Sequence, residues 1–398
     1  MPDYILDHPS KNTVTCETIF SNSIITGLPV AVWRLPDAQA IHLSVDLSHA
    51  AVNDVSILNS LPSGFLIHPF DRKTSSIHYI KSDLSFHSKN GIRLGNDLSR
   101  EQLHLADKLL NSPPAISTLK NLLLAPIELK KFQISSQEYQ NLVTRGIEYI
   151  EQGRLKKVVA ARFKALEVSE SVNIMKVFER VCQQYPSAFV SIIFHPETGC
   201  WMGATPELLI SKSESDLFRT TALAGTQKVL KGIDPSTISW SHKEIEEQAL
   251  VSRYIINCFK TIRLREYEED GPKTILTGDL AHLKTDFSVD MREVHFENLD
   301  STMLQLLHPT SAVGGMPREE SLQFIKEHEG FNRELYSGFL GPVNQKNETN
   351  LFVNIRCVRI FKSHIQLFAG AGITRNSIPE KEWLETSAKM MAMESLFY

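Results

Sequence analysis

Two short segments carry paired carboxylates at a spacing that could hold a cation. Lys243-Glu-Ile-Glu-Glu-Gln248 contains Glu244 and Glu247, and Glu380-Lys-Glu-Trp-Leu-Glu-Thr-Ser-Ala-Lys389 contains Glu382 and Glu385. On a helix, residues three or four apart share a face. Two such faces turned toward each other would make an oxygen-rich pocket for a hard cation such as Mg²⁺. Lys389, one turn beyond Glu385, could hold an anion bound to that cation. The same spacing also describes a solvated, salt-bridged surface, so both readings stay open on these segments alone.

Other positions could move protons or hold anions. Lys157 opens the apolar run Lys157-Val-Val-Ala-Ala-Arg162. In a strand it shares a face with Val159 and Ala161, and partial desolvation would lower its pKa and make it a possible base. Glu207, in Gly203-Ala-Thr-Pro-Glu207, stands at the start of the strand Leu208-Leu-Ile, where a low-dielectric pocket would keep it protonated as a general acid. Arg356 is expected on a strand face with Val358 and Ile360. It then needs a partner, either a substrate carboxylate or a buried ion pair. The turns at Leu223-Ala-Gly-Thr226 and Phe368-Ala-Gly-Ala-Gly372 could offer backbone N–H groups to an anion. The second does not match the dinucleotide pattern GxGxxG, so no nucleotide role is assigned. His295 stands alone and reads as a packed, hydrogen-bonded histidine.

The elements that must position these groups follow from patterning. Strands are expected at Leu28–Leu35, Ala40–Leu47, Ser76–Ile80, Lys157–Arg162, Ala188–Phe194, Gly199–Gly203, Leu208–Ser211, Leu217–Leu223, Leu351–Phe361 and His364–Ala369. Helices are expected at Glu101–Leu110, 137–152, Ile174–Gln184, Lys243–Thr261, Asp300–Leu307, Glu319–His328 and Pro379–Phe397. Strands that follow one another after short turns favour antiparallel pairing, and runs of strands beside runs of helices predict an α+β fold. Ser112-Pro-Pro-Ala115 reads as a connection.

The 398 residues suffice for a large enzyme of one or two domains, with 42% hydrophobic and 22% charged residues. A net charge of -4 gives no bulk reason to expect nucleic acid binding. Five scattered cysteines without a CxxC pair indicate neither a disulfide framework nor a zinc site. No run of about 20 apolar residues could span a bilayer. The first nine residues lack a secretory pattern, so the cytoplasm is the expected compartment.

Taken in order, nine motifs resemble the chorismate-utilising enzyme family. They are Lys157-Val-Val-Ala-Ala-Arg, Gly203-Ala-Thr-Pro-Glu-Leu-Leu, Leu223-Ala-Gly-Thr, Lys243-Glu-Ile-Glu-Glu, His308-Pro-Thr-Ser-Ala-Val-Gly-Gly, Arg333-Glu-Leu-Tyr-Ser-Gly, Asn354-Ile-Arg, Phe368-Ala-Gly-Ala-Gly and Glu382-Trp-Leu-Glu-Thr-Ser-Ala-Lys. The match covers about residues 130–398; residues 1–120 form a weakly diagnostic N-terminal part of what is expected to be one continuous domain. The resemblance implies a large antiparallel β-sandwich flanked by helices. The family includes anthranilate, aminodeoxychorismate, isochorismate and salicylate synthases. Lys157 with Ala224 is similar to the isochorismate synthases, since anthranilate synthases usually carry glutamine at the first position and aminodeoxychorismate synthases a lysine at the second. Water is a poor nucleophile and benefits from a base, whereas ammonia does not need one.

The resemblance then implies roles. Lys157 would activate water for attack at C2 of chorismate, and Glu207 would protonate the departing C4 hydroxyl. Glu247 and Glu385 would hold Mg²⁺ on the ring carboxylate, with Glu244 and Glu382 acting through water or orienting the ligands. Tyr336 and Arg356 would hold the enolpyruvyl carboxylate, with backbone N–H groups around Gly370 and Ala371. Lys389 would neutralise charge near the metal; Gly225, Thr226, Ala312 and Ile355 would line the pocket, and His295 is a further substrate-binding candidate. The product would enter menaquinone or catecholate siderophore biosynthesis, in a monomer with no obligatory glutaminase. Two alternatives stay open: a salicylate synthase, which also eliminates pyruvate, and a chorismate-binding subunit of an amidotransferase. Two positions depart from the family pattern: Gln248 stands where histidine is frequent, and Ser311 where proline is usual.

Overall fold

The computed structural model describes residues 14–48, 57–71, 76–113, 116–122, 124, 132–229, 232–277 and 280–398. The leader-free reading of the first nine residues, and half of the 112–115 connection, lie outside them. In chain order the elements are α1 (Cys16–Ile25), β1 (Val30–Arg34), β2 (His42–Val45), β3 (Gly64–His68), β4 (His78–Lys81), β5 (Leu84–His87), β6 (Gly91–Leu94), α2 (Arg100–Asn111), α3 (Ser136–Glu151), β7 (Lys157–Glu167) and α4 (Ile174–Gln184). There follow β8 (Phe189–His195), β9 (Gly199–Thr205), β10 (Leu208–Lys212), β11 (Leu217–Lys228), α5 (His242–Thr261), β12 (Glu268–Thr277), β13 (Leu280–Asp290), α6 (Met291–Val294) and α7 (Leu299–Leu307). The chain closes with β14 (Gly315–Met316), α8 (Arg318–His328), β15 (Phe339–Val343), β16 (Thr349–Val353), β17 (Cys357–Ile360), β18 (His364–Ile373) and α9 (Pro379–Glu394).

The strands form two antiparallel sheets. The first, of ten strands, runs β14-β7-β18-β17-β9-β8-β1-β2-β5-β6; the second, of eight, runs β12-β13-β11-β10-β16-β15-β3-β4. The expected α+β sandwich is the observed architecture. Strands from the first 120 residues enter both sheets, β1, β2, β5 and β6 in one and β3 and β4 in the other.

Alternation along each strand builds the layers. In β1, Ala31 and Trp33 point between the sheets, while Val30 and Val32 face the helices outside. The inter-sheet core is aromatic, and Phe189 of one sheet stacks on Phe352 of the other with centroids 4.2 Å apart. Truncating such a ring to Ala costs about 3–5 kcal/mol. The outer face of the first sheet is covered by α1, α2, α4 and the end of α9, through Phe20, Leu109, Phe178 and Met393 among others. That of the second is covered by α5 and α7, where Val251, Phe259 and Met303 meet Phe218 and Phe287.

The sequence reading is corrected at residues 351–361. The expected single strand is two, β16 in the second sheet and β17 in the first. The chain crosses between sheets at Asn354–Arg356, where Arg356 takes φ +50°. Beside it the chain crosses from β9 to β10 through Pro206 and Glu207. β17 pairs with β9, and β16 with β10. The two crossings are bonded together, Val353 N–H donating to the Glu207 carbonyl (3.0 Å) and Ala204 N–H to the Arg356 carbonyl (3.1 Å).

Candidate active site

A cavity of about 200 Å³ opens where these crossings leave the inter-sheet core. Both sheets and two helices line it. β7 contributes Lys157 and Val159, and the β9–β10 crossing Glu207. From β11 come Ala224, Gly225 and Thr226; from α5, Glu244 and Glu247; and from β13, His282. The remaining wall includes Ala312, Tyr336, Ile355, Arg356, Gly370, Glu385 and Lys389.

Lys157 is 5% exposed, far from an edge position, because β14 covers the outer side of β7. Burial pushes its amine below the usual lysine value, against the pull of Glu247 and Glu207. Its stem lies on Gly372, where an added Cβ would come within 2.9 Å of Lys157 Cε. Gly370 is constrained in the same way by the Tyr336 hydroxyl, 2.9 Å from such a Cβ. The glycines of Phe368-Ala-Gly-Ala-Gly372 therefore make room for two functional side chains.

Glu207 is 8% exposed, and burial raises its carboxyl to about 7, against the opposing effects of Lys157, Thr310, Arg356 and Lys389. Near neutrality it can give up a proton, as a general acid must. Across the cavity His282 is buried. Burial, with Arg356 next, lowers its imidazole to about 4, so it is neutral at physiological pH. Its Nδ1 faces the Gly225 carbonyl (3.3 Å) and its Nε2 faces an Arg356 guanidinium nitrogen (3.4 Å). Since a guanidinium only donates, Nε2 is the accepting nitrogen and Nδ1 carries the hydrogen. The ring thus steadies Arg356 on the cavity wall.

Two polar anchors fix the helices. Arg162 of β7 holds α9 by donating from Nε to Thr386 Oγ1 (2.8 Å) and from a terminal nitrogen to Ser387 Oγ (2.6 Å), with its guanidinium 3.6 Å above the Trp383 ring. Gln248 holds α5 by donating to the Ala222 carbonyl (3.2 Å) and to Thr285 Oγ1 (2.9 Å). The departure at Gln248 is thus a bracket behind the cavity wall. Ser311, the other departure, is buried, and its hydroxyl finds no partner among the described residues.

The helix-borne carboxylates lie at the rim. Glu385 accepts from Lys389 Nζ at 2.7 Å, and Lys389 also donates to the Gly370 carbonyl at 2.9 Å. Glu244 accepts from the Ser241 N–H at 2.9 Å and from the Ser241 hydroxyl. No ready-made group of three or more metal-ligating side chains exists among the described residues. Glu244, Glu247 and Glu385 nevertheless line one cavity from facing helices, and their all-oxygen donor set suits a hard cation.

Three sequence candidates lie elsewhere. His295 is exposed at the C-terminal end of α6 with φ +51°, neither packed nor near the cavity. Glu382 is buried beside Tyr139 of α3 and adds, behind burial itself, to holding that phenol protonated. Glu385 lines the cavity, whereas Glu382, one turn earlier on α9, is not in the lining. Ala371 is not in the lining; strand alternation gives the cavity side to Gly370 and Gly372. The residue that sequence reasoning missed is His282. Its signal is the strict alternation of Leu283, Thr285, Phe287 and Val289 with Lys284, Asp286 and Ser288, which marks a strand that was not assigned.

A two-sheet antiparallel sandwich with a buried acid and amine facing one cavity defines a class of small-molecule enzyme. The chain belongs to the chorismate binding enzyme family, whose model matches residues 97–397. It is 30% identical over 267 residues to the isochorismate synthase EntC of Escherichia coli (strain K12), an alignment covering 65% of this chain and 66% of that protein. It is 26% identical over 337 residues to the vibriobactin-specific isochorismate synthase of Vibrio cholerae, covering 83% of this chain and 78% of that protein. The fold is similar to that of MenF, the menaquinone-specific isochorismate synthase from Escherichia coli, with TM-score 0.78, 21% identity and coverage of 98% of this chain and 93% of that one. Among the described residues no helix is long and apolar enough to cross a membrane.

Proposed function

We propose that the protein converts chorismate to isochorismate. The observation that carries this reading is the buried pair on one cavity, an amine lowered by burial at Lys157 and a carboxyl raised to about 7 at Glu207. Burial favours the neutral amine, which can take a proton from water, and the protonated carboxyl, which can deliver one to a leaving hydroxyl. The names of the curated relatives support the same reaction.

In this mechanism Lys157 accepts a proton from the water that attacks C2. The two ring double bonds shift along, the C4–O bond breaks, and Glu207 protonates the oxygen that leaves as water. One water enters and one departs, and solvent restores both groups. Tyr336 and Arg356 orient the enolpyruvyl carboxylate, and His282 keeps the Arg356 guanidinium in place. Glu247 and Glu385, with Glu244 beside them, would hold Mg²⁺, which supplies positive charge for the ring carboxylate. Lys389 balances charge at the rim. Ala224 leaves the β11 wall without the lysine that an aminodeoxychorismate synthase would place there.

Product analysis by HPLC after incubation with chorismate and Mg²⁺, without ammonia or a glutaminase, tests the proposal. Isochorismate is the expected product. Anthranilate or aminodeoxychorismate would overturn it, and mainly salicylate would assign the chain to the pyruvate-eliminating members. The product would serve menaquinone or catecholate siderophore formation.

A further inference from the structure

Glu207 needs a fixed carboxyl as well as a raised pKa, and one side chain supplies it. Among the described residues, the sole hydrogen bond to its carboxyl comes from Thr310, whose Oγ1 donates to Oε1 at 3.4 Å. Thr310 stands on a pinned turn. Its carbonyl accepts the N–H groups of Val313 (3.1 Å) and Gly314 (2.9 Å). Arg333 donates to the Val313 carbonyl at 2.8 Å, and Arg318 donates to the His308 carbonyl. Arg333 is itself held in a buried ion pair with Glu329 and donates to the Val159 carbonyl at 2.8 Å. The turn that presents the hydroxyl is thus tied to the strand that carries Lys157.

We propose that Thr310 is a positioning residue for the general acid: its hydroxyl fixes the Glu207 carboxyl through Oε1 and leaves Oε2 to carry the transferable proton. The inference rests on the acid role given to Glu207 above. A donor to a carboxyl favours the charged form. Thr310 therefore moderates the rise that burial imposes, alongside the charges of Lys157 on β7, Arg356 on the crossing and Lys389 on α9. Glu247 and Glu385 face the same cavity with opposite sign, and His282 faces it uncharged.

The test is the titration of Glu207 in the free protein, read by NMR with ¹³C-labelled glutamate and assigned with Glu207→Gln. Thr310→Val should move that titration up by about half to one pH unit, the size of one modest hydrogen bond. Thr310→Ser, which keeps the hydroxyl, should restore it. In turnover, Thr310→Val should lower kcat about tenfold with KM nearly unchanged, and the alkaline limb of kcat should move up with the titration. Thr310→Ala serves the same comparison if the valine variant does not fold. A Glu207 titration unmoved in Thr310→Val or Thr310→Ala, or moved equally in Thr310→Ser, would overturn the proposal. The NMR titration requires no turnover, so a protein inert toward chorismate would count against the proposed function without deciding this point.

Discussion

Lys157 and Glu207 are at most 8% exposed, whereas Glu385 and Lys389 across the cavity have side chains 45% and 39% exposed. The sheet side is set before any ligand arrives. Its side chains lie against glycines and strand crossings, and burial has already shifted both pKa values. On the helix side, Glu385 is paired with Lys389, and Glu244 with the first turn of its own helix. Under the proposed function, the protein prepares proton transfer on the sheet side and leaves the charged rim for cation and substrate to arrange. Preorganisation is concentrated where a misplaced proton would cost most.

The strongest way to break this contrast is to remove the cation. Chelation with EDTA should abolish turnover and Mg²⁺ or Mn²⁺ should restore it, because oxygen-only ligands suit both. Glu247→Ala and Glu385→Ala should each lose the response to added metal, followed by a metal titration of activity. Full turnover in metal-free buffer would make the rim a solvated surface.

Next in size is the sheet side. Lys157→Ala and Glu207→Gln should each lower kcat by about 10²–10⁴ with the fold intact, checked by circular dichroism. Glu207→Gln also carries a stability signature. Its carboxyl titrates at about 7 in the folded chain against 4.5 for the ordinary group. Between those values the folded state binds more protons at this group than the unfolded one, so the contribution of Glu207 to stability falls as pH rises and levels off above about 7. The loss is on the order of 3 kcal/mol. The glutamine variant should lack this slope in denaturant titrations at pH 5 and pH 8, and a parallel slope would place the shifted group elsewhere.

The smallest contrast sharpens the map of the wall. His282→Ala should cost about 10–100-fold in kcat/KM through a loosened Arg356, consistent with one hydrogen bond to a charged group. His295→Ala should leave kinetics unchanged, because that side chain is exposed and outside the cavity.

These pairs also mark how far the sequence could be read. Helix bounds were legible from periodicity and caps: Ile174–Gln184 was assigned as it stands, and α5 begins one residue earlier than expected. The strand bearing Lys157 and the two strands flanking Glu207 were legible because apolar runs stop at small residues and proline. The crossing at Arg356 was not, since 351–361 is apolar apart from Asn354, Arg356 and Arg359 and a change of sheet leaves no mark on a period-two pattern. Arg356 reaches the cavity through that bend, not through a shared strand face with Val358 and Ile360. His282 was passed over because the hairpin that carries it was not assigned, and the place of Glu382 was not legible because helical spacing does not say which side of α9 turns to the cavity and which to α3.

The central claim is that water, activated on the sheet side, adds at C2 while the C4 oxygen leaves. Initial-rate turnover of chorismate in H₂¹⁸O with Mg²⁺, followed by mass spectrometry of the product, tests it most directly. The account predicts one ¹⁸O in isochorismate, on the C2 hydroxyl, in every early turnover. Isochorismate formed without solvent label would mean that the substrate's own hydroxyl migrates, and would contradict the roles given to Lys157 and Glu207.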